Sequence, residues 1–304
     1  MQWIRKIRLY GELVAFEHTV FALPFALSAL LLAASDTRWP DLTTTLWVIA
    51  CMVSGRTFAM GLNRLLDCHL DAKNPRTQSR VLPSGRLKYP EAWFLTLAAG
   101  TLLAWSTTHL PSLCVQLLPI VYAVLILYSF TKRFTSLCHC VLGLALGISA
   151  IGGWVALSAS LNGGLPVLLG LAIACWVAGF DIIYACQDID FDRRYGLHSI
   201  PAWLGVPTSL ALSKGLHILT IVCLIAFGLA YSAFWQPAGG VGWGYWLATS
   251  LMGVFLVWQH RLVSACNLSQ VNAAFFTANG WASVSFLAAL TLERLIRSFL
   301  EGLS

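Results

Sequence analysis

Long apolar stretches alternate with short polar connections along almost the whole chain. A helix needs about 20 mostly apolar residues to cross a bilayer, and nine segments meet that need. They are 16–34, 43–62, 91–108, 112–130, 137–159, 165–186, 208–234, 243–260 and 271–292. The longest polar connections, 63–90 and 187–207, are too short for a soluble domain. The pattern predicts an all-α integral membrane fold of nine transmembrane helices, with residues 1–304 as a single transmembrane domain.

The composition is typical of a chain that is solvated by lipid. Of its 304 residues, 58% are hydrophobic and 11% are charged, whereas soluble domains carry roughly 25% charged residues. The formal net charge of +6 does not indicate a nucleic-acid partner, because the basic residues are scattered among short loops and form no basic face. In a membrane protein such an excess reports orientation and contact with anionic lipid headgroups.

The basic residues are divided unequally between the two sides of this topology. With the N-terminus in the cytoplasm, the outer side carries only Arg38, Arg294 and Arg297. The inner side carries Arg5, Lys6, Arg8, Arg64, Lys73, Arg76, Arg80, Arg86, Lys88, Lys132, Arg133, Arg193, Arg194 and Arg261. Because positively charged loops stay inside, we expect a multi-pass protein of the cell's inner (plasma) membrane whose long polar connections face the cytoplasm.

Six of the thirteen acidic residues lie at the ends of two predicted spans. Asp67 and Asp71 follow the second span, and with Asn63 they are spaced four residues apart. On a helix, that spacing places all three side chains on one face. Carboxylates beside an apolar segment are costly and usually functional, so this first acidic cluster is a candidate site.

The sixth span ends in a second acidic cluster. Asp188 and Asp192 are again four residues apart, and Asp181 lies two helical turns earlier on nearly the same face. Asp190 points away from that face and is interpreted as a solvated residue. Arg56 precedes the first cluster by the same seven residues, a shared spacing that is consistent with an ancient duplication of a four-helix unit.

The chemistry of these clusters points to a metal and an anion. Like charges one helical turn apart repel each other, and they persist more readily when a cation neutralises them. Oxygen ligands suit Mg²⁺, which is often held by one or two carboxylates while substrate phosphates supply further ligands. Two facing clusters are therefore suited to hold Mg²⁺ around a diphosphate. The metal would offset the negative charge of the diphosphate as that group leaves.

Cationic side chains follow the first cluster and the end of the fourth span. They can bind phosphate oxygens, and they are Lys73, Arg76, Arg80, Lys132 and Arg133. The apolar interior beside them would accept a long isoprenoid tail and keep water from an allylic carbocation. For Lys132 the alternative role is a charge that sets the topology.

Three motifs carry a resemblance to a known family. The stretch NRLLDCHLD at 63–71, with RTQSRVLPSG at 76–85, resembles the first signature of the UbiA prenyltransferases. DIIYACQDIDFD at 181–192, followed by GLHS at 196–199, resembles the second signature, and YSFTK at 128–132 matches the family's Tyr-x-x-x-Lys element. The resemblance covers nearly the whole chain and implies a UbiA-like fold around a central cavity. One departure is Cys68-His69, where many members carry a basic residue after the first aspartate.

The resemblance also implies a set of site residues. The Mg²⁺ ligands, bound directly or through water, would be Asn63, Asp67, Asp71, Asp188 and Asp192, of which the four aspartates would be catalytic. The diphosphate-binding residues would be Arg76, Arg80, Tyr128 and Lys132.

Two further segments, FEHTVFALPF at 16–25 and RTFAM at 56–60, are similar to the 4-hydroxybenzoate polyprenyltransferase or UbiA-like branch. Part of that branch is thought to prenylate 1,4-dihydroxy-6-naphthoate on the futalosine route to menaquinone. The implied activity is Mg²⁺-dependent transfer from polyprenyl diphosphate to an aromatic acid, in ubiquinone or menaquinone biosynthesis. The implied chemistry is ionisation to an allylic cation, attack by the ring carbon ortho to a hydroxyl, and proton loss.

Several polar residues admit two interpretations. Arg56 lies within a span, and we expect it either in an internal ion pair or on the carboxylate of the acceptor. Asp181 and His198 are further acceptor-site candidates. Glu17 and His18 fit an acceptor contact and a structural pairing equally well.

Cys138-His139-Cys140 is the one metal-like cluster in the sequence. Zinc usually takes about four ligands, and no second Cys/His pair stands nearby, so the sequence favours a different role for these residues.

Two alternative functions remain. A UbiA-family enzyme with another acceptor, such as haem or chlorophyllide, would carry the same motifs. A cation-coupled transporter would explain Arg56 and Asp181 within the membrane. Transporters usually place such residues near the bilayer midplane, whereas most charges here gather at one surface.

Overall fold

The structure is a computed structural model that describes residues 2–15, 19–34, 39–234 and 240–302. These residues form helices joined by short turns. The helices are α1 (Gln2–Leu13), α2 (Thr19–Ala33), α3 (Leu42–Asp71), α4 (Tyr89–Thr107), α5 (Ser112–Thr131), α6 (Cys138–Ser158), α7 (Leu165–Ala185), α8 (Ile189–Tyr195), α9 (Ile200–Phe234), α10 (Trp243–Leu262) and α11 (Asn279–Glu301). Short 3₁₀-helices at Asn162–Gly164 and Cys186–Asp188 precede α7 and α8, and a π-helix at Ala273–Ala278 leads into α11.

Each of the nine predicted spans overlaps a helix in the described part of the chain. Among the described residues, six helical segments are long and apolar enough to cross a membrane: Leu42–Asp71, Ser112–Thr131, Cys138–Ser158, Leu165–Tyr195, Ile200–Ala233 and Ala273–Glu301. The other predicted spans fall on α2, α4 and α10. The all-helical, multi-pass membrane fold is therefore confirmed, and the count of nine spans stays a prediction.

Helix α3 is longer than the predicted span at 43–62. It runs for 30 residues, about 45 Å at the rise of an α-helix, which exceeds a hydrocarbon core of about 30 Å. Asp41 caps its start by accepting a hydrogen bond from the backbone N–H of Thr44 at 2.8 Å. The additional turns carry the first acidic cluster, which is thus held on a rigid helix instead of a loop.

The largest apolar core lies where α2, α6, α7, α9, α10 and α11 meet. Trp154, Trp176 and Phe286 are among its fully buried side chains. Close helix approach depends on small residues: a Cβ atom at Gly147 would lie 2.4 Å from the carbonyl oxygen of Gly170, and one at Gly153 would lie 2.2 Å from that of Ala26. Glycine at these positions lets α6 pack directly against α7 and α2.

Large apolar side chains also cover the outer surface of the bundle. They include Phe94, Leu97, Ile120, Val167, Ile218, Leu229, Val254 and Trp281, all exposed. Such a surface is unfavourable in water and favourable in lipid. It agrees with a protein whose helices face the bilayer.

One end of the bundle collects the polar motifs, and we refer to it as the charged end. Helices α3, α5 and α7 finish there, and α4, α6 and α9 begin there. The backbone after α7 tightens into the 3₁₀-helix Cys186–Asp188 and then enters α8, which ends at Gly196 with a positive φ of 66°. This break brings the second acidic cluster back over the ends of α3 and α5.

Candidate active site

A cavity of about 660 Å³ lies at the charged end. Most of the site residues that the sequence predicts line it, namely Arg56, Asn63, Asp67, Asp71, Arg76, Arg80, Tyr128, Lys132, Asp181 and Asp188. Asp192 and His198 lie outside the lining; the side chain of His198 is exposed, and its backbone N–H donates to the carbonyl oxygen of Lys132 at 2.7 Å. The two acidic clusters, far apart in sequence, thus meet at one space.

The first cluster is fixed by neighbours on its own helix and by two arginines. Asn63 donates from Nδ2 to Oδ2 of Asp67 at 2.9 Å. Arg133 donates to the other oxygen of Asp67 at 3.0 Å. Arg80 binds Oδ1 of Asp71 at 2.6 Å. Each aspartate of this cluster therefore faces a cation from a different loop.

The second cluster is bound more completely. Arg76 forms a two-pronged contact with Asp188, from Nε at 3.0 Å and from Nη2 at 2.5 Å. Asn74 adds a hydrogen bond to Asp188 at 3.2 Å. Asp192 is fully buried, and it accepts from the hydroxyl of Ser199 at 2.7 Å and pairs with Lys132 at 2.7 Å. Asp192 therefore stands behind the cavity wall as a partner of Lys132.

Each of two loops supplies one cation to each acidic cluster. In the loop 72–88, Arg76 contacts the second cluster and Arg80 contacts the first. In the turn after α5, Lys132 contacts the second cluster and its neighbour Arg133 contacts the first. Two loops therefore join both clusters, and the positive groups suited to a diphosphate alternate with the carboxylates suited to a metal.

An aromatic wall, defined as Phe21, Phe180, Tyr184, Phe275 and Phe276, lines another side of the cavity. Phe275 lies at its centre, with ring centroids 4.1 Å from Tyr184, 5.2 Å from Phe180 and 5.5 Å from Phe21. The π-helix Ala273–Ala278 presents Phe275 and Phe276 to the cavity. Because π-helical turns are rare and frequently occur at functional sites, this backbone irregularity agrees with a functional wall.

A second cavity of about 190 Å³ lies among α3, α4, α5 and α6. Its lining is almost entirely apolar, with residues such as Val48, Leu103, Leu117 and Ile148. The residues that border both cavities are Arg56, Met60, Tyr128, Leu142 and Leu146. The charged cavity and the apolar cavity are therefore neighbours across a shared boundary.

Residues 22–282 match the UbiA prenyltransferase family, and this match covers most of the chain. The chain belongs to the UbiA prenyltransferase family. It is therefore a UbiA-family membrane prenyltransferase, as the motifs at 63–85 and 181–199 predict. The 4-hydroxybenzoate octaprenyltransferases of Salmonella paratyphi B and Salmonella newport are each 30% identical to it over 294 residues, covering 91% of this chain and 94% of the relative.

Solved UbiA structures share the fold. The apo structure of a UbiA homologue from Aeropyrum pernix K1 has a TM-score of 0.80 and 33% sequence identity, covering 91% of this chain and 98% of that one. A UbiA homologue from Archaeoglobus fulgidus bound to GPP and Mg²⁺ has a TM-score of 0.75 at 17% identity, covering 94% and 99%. The second likeness concerns the fold alone.

The UbiA site can be tested for its fit to Mg²⁺. Among the described residues, no three His, Cys, Asp or Glu side chains converge into a preformed metal site, because the carboxylates contact arginine and lysine. Oδ2 of Asp71 is buried and has no hydrogen-bond partner within the described residues, and its nearest cation, Nη1 of Arg64, stands 3.9 Å away. Asn63 binds Asp67 through its nitrogen and keeps its amide oxygen for another bond. Oxygen donors of this kind suit Mg²⁺, so the residues fit the ion.

Two of the cations outside the membrane spans have shifted pKa values. Burial alone would lower the pKa of the Arg76 guanidinium, but its hydrogen bonds and charge contact with Asp188 outweigh burial and raise the pKa. Burial also opposes the charge on Lys132, and the charge and hydrogen bond of Asp192 raise its pKa. Both groups are therefore held as cations, ready to bind a phosphate oxygen.

Arg56 lies at the boundary between the two cavities. Its Nη2 donates to the carbonyl oxygen of Ala15 at 3.2 Å, and its buried Nε has no hydrogen-bond partner within the described residues. Glu17 and His18, the other acceptor-contact candidates of the sequence, lie outside the described residues. The two interpretations of Arg56 were an internal ion pair and a contact with the carboxylate of the acceptor. The unpartnered Nε favours the second, because it can donate to an incoming carboxylate.

Some residues of the site were not singled out by the sequence. Tyr184 accepts from Nη1 of Arg76 at 2.9 Å, and it lies four residues before Asp188, a spacing that gave a usable signal. Asn74, whose amide supports Asp188, also accepts from the backbone N–H of Arg76 at 2.9 Å. The position of Asn74 before a proline is typical of a turn. It does not indicate that Asn74 contacts Asp188, just after α7.

Proposed function

We propose that this UbiA-family chain transfers a polyprenyl group from polyprenyl diphosphate to an aromatic acid, 4-hydroxybenzoate or 1,4-dihydroxy-6-naphthoate, in quinone biosynthesis. The observation that carries the proposal is the meeting of two acidic clusters and four cations at one cavity, beside an apolar one. The names of relatives support it: 4-hydroxybenzoate octaprenyltransferases match almost the whole chain, and UbiA homologues of the same fold bind GPP or DMAPP with Mg²⁺.

The diphosphate would lie between the clusters. Arg76, Arg80 and Lys132 would exchange carboxylate partners for phosphate oxygens, to which arginine can bind with two parallel hydrogen bonds. Tyr128 borders the same space. Lys132 would release Asp192 in this exchange, which is how a buried aspartate can join the metal-binding set.

The residues that would hold Mg²⁺ are Asn63, Asp67, Asp71, Asp188 and, once released, Asp192. When bound, Mg²⁺ supplies Lewis-acid stabilisation of the departing diphosphate. The chain's own contribution is to orient the prenyl diphosphate and to exclude water. The aromatic wall offers ring faces to a developing allylic cation, and the apolar cavity accepts the isoprenoid tail in a dry environment.

The acceptor would lie at the boundary of the two cavities. There Arg56 has a donor edge available for the acid's carboxylate, and a charge-assisted hydrogen bond is strong in such a buried place. Arg56 borders the same cavity as Arg76, Arg80 and Lys132, so a ring bound to Arg56 would share one space with the prenyl diphosphate. Asp181 lines that cavity too, whereas His198 has no place in this arrangement.

The site would face the cytoplasm. Nine membrane spans with the N-terminus inside put the charged end on the side that carries most of the basic residues, as the distribution of positive charge favours. Polyprenyl tails are bilayer components and the acids are water-soluble. A site at the rim of the membrane would allow each substrate to enter from its own phase.

An assay that offers both acids separately tests this function. Purified protein in lipid receives radiolabelled prenyl diphosphate, Mg²⁺ and either 4-hydroxybenzoate or 1,4-dihydroxy-6-naphthoate. We expect a prenylated product with one of them, and no product after addition of EDTA. Hydrolysis to prenyl alcohol with neither acid prenylated would contradict the proposed acceptor class, and metal-independent transfer would contradict the proposed site.

A further inference from the structure

A histidine–aspartate pair lies deeper in the bundle than the acidic clusters. His139, on α6, contacts Oδ2 of Asp181, on α7, through Nδ1 at 2.6 Å. His139 is buried, at 2% exposure, whereas the side chain of Asp181 keeps 21% of its surface exposed. Both residues line the charged cavity. The pair thus presents a carboxylate to the cavity with an imidazole behind it.

The second nitrogen of His139 fixes the orientation of the ring. The backbone N–H of Ile200 donates to Nε2 over 3.3 Å, and a backbone N–H can only donate. The ring is thus held from both sides, by Ile200 at Nε2 and by Asp181 at Nδ1. Because His139 contacts Oδ2 of Asp181, the other oxygen of Asp181 is left open to the cavity.

The partner distinguishes Asp181 from the other carboxylates that line the cavity. Asp67, Asp71 and Asp188 each contact an arginine. Asp181 contacts no arginine or lysine side chain among the described residues, and its contact with His139 leaves one oxygen open to the cavity. Asp181 is therefore the lining carboxylate that the geometry leaves available to the acceptor.

The position of Asp181 also suits the acceptor. It lies seven residues before Asp188, about 10 Å along the helix axis, and it lines the same cavity as Arg56. Asp188 would contact the metal and diphosphate, and Asp181 would contact the ring. The aromatic wall includes its sequence neighbour Phe180, so that Asp181 lies at the edge of a surface against which a ring can stack.

We infer that Asp181 is the base that removes the ring proton and that His139 is the residue that positions it. This inference rests on the proposed function. The allylic C–O bond breaks and its electron pair leaves with the diphosphate. A C–C bond then forms between the allylic carbon and the ring carbon ortho to the hydroxyl. Asp181 takes the proton from that ring carbon, the C–H electron pair restores the aromatic ring, and water later removes the proton from Asp181.

An isotope effect tests the base directly. Each acid is prepared with deuterium at the ring carbons ortho to the hydroxyl, and its turnover is compared with that of the unlabelled acid. Proton loss from a ring cation is normally fast, so we expect no isotope effect in the natural protein. In Asp181→Asn, kcat should fall by about 10² to 10⁴-fold, the usual contribution of a positioned base. A primary isotope effect should appear, with KM for prenyl diphosphate unchanged.

Two outcomes separate the inference from the proposed function. A lower kcat in Asp181→Asn without an isotope effect, or normal turnover, would overturn the base. Lack of product from the natural protein with both acids would overturn the proposed function itself. Asp190→Asn is the matched control, because Asp190 is an exposed aspartate of the same segment, and it should show neither change.

A second pair of variants tests the positioning role and guards against a folding defect at position 181. His139→Asn keeps an N–H donor near Nδ1, and His139→Leu removes it. We expect His139→Leu to lower kcat and to reveal the isotope effect, and His139→Asn to retain more of the activity. Equal losses in both variants without an isotope effect would contradict the positioning role.

Discussion

The two acidic clusters have similar spacing in the sequence but different surroundings in the fold. The first lies on one continuous helix, α3, and both Asp67 and Asp71 line the cavity. The second is interrupted: Asp188 ends a 3₁₀-helix and lines the cavity, whereas Asp192 on α8 is fully buried against Lys132 and Ser199. Asp71 and Asp188 are both buried, so the two clusters differ at Asp67, which is partly exposed, and at Asp192, which is enclosed.

This difference in burial indicates that some of these aspartates are suited to bind substrate and that Asp192 is suited to stabilise the fold. Asp67 keeps 27% of its side chain exposed, while Asp192 keeps none. A buried carboxylate must be paired and hydrogen-bonded to be tolerated, so Asp192 contributes to the junction of α5, α8 and α9. Asp67, which is partly exposed, would be able to change partners when a substrate arrives. We therefore expect the first cluster to control activity and the second to control activity and stability.

The largest expected effect is on activity. Asp67→Asn and Asp188→Asn each remove one carboxylate charge from the proposed metal site, and metal stabilisation of a departing group is worth several kcal/mol. We expect kcat/KM for prenyl transfer to fall by about 10³-fold in each variant. Product formation from labelled prenyl diphosphate is the measurement, and retained turnover in both variants would remove the proposed site.

The next largest expected effect is on the free energy of unfolding, which should differ between variants of the two clusters. Asp192→Asn removes the charge of a fully buried carboxylate and leaves Lys132 without its partner, which should cost about 2 kcal/mol. Asp67→Asn breaks a partly exposed contact with Arg133 and should cost under about 1 kcal/mol. Thermal unfolding in detergent should therefore give a lower Tm for Asp192→Asn than for Asp67→Asn. The reverse order would show that the burial of Asp192 does not support the fold.

A smaller effect concerns the arginines of the loop 72–88. Arg76 binds Asp188 with two nitrogens and also contacts Tyr184, whereas Arg80 makes one close contact with Asp71. Lysine keeps the charge and loses the planar fork. Arg76→Lys should raise KM for prenyl diphosphate about tenfold, or 1.4 kcal/mol, and Arg80→Lys should raise it less. Equal changes in both variants would argue against a two-pronged role for Arg76.

The smallest effect is the control for both clusters. Asp190 lies between Asp188 and Asp192 in sequence, and its side chain is exposed. Asp190→Asn should change stability by less than about 0.5 kcal/mol and leave kcat and KM for prenyl diphosphate as they are. A loss of activity comparable to that of Asp188→Asn would mean that charge in this segment matters regardless of position.

Much of the fold and part of the site could be predicted from the sequence. Apolar length predicts helices because a bilayer requires about 20 such residues, and the spacing of Asn63, Asp67 and Asp71 predicts a shared face because α3 stays regular. The spacing of the second cluster could not reveal the 3₁₀-helix at Cys186–Asp188. The packing of α8 against α9 turns Asp192 away from the cavity. This packing cannot be predicted from the spacing of residues within one segment.

Contacts between distant segments were the other part that the sequence could not supply. The residue types of Arg76 and Lys132 indicated phosphate binding, but their partners depend on how two loops fold over the charged end. The contact of Arg76 with Asp188 and that of Arg133 with Asp67 are long-range pairings of this kind. In the sequence, His139 stands between two cysteines in a metal-like cluster, and only its contact with Asp181 indicates a different role.

Both acidic clusters are proposed to hold one metal–diphosphate group. Calorimetric titration with a non-reactive prenyl thiodiphosphate, with and without Mg²⁺, tests it without any acceptor. Binding to the natural protein should require Mg²⁺, and Asp67→Asn and Asp188→Asn should each weaken it at least about tenfold, or 1.4 kcal/mol. If either variant kept Mg²⁺-dependent binding at the natural affinity, the two clusters would not share one diphosphate.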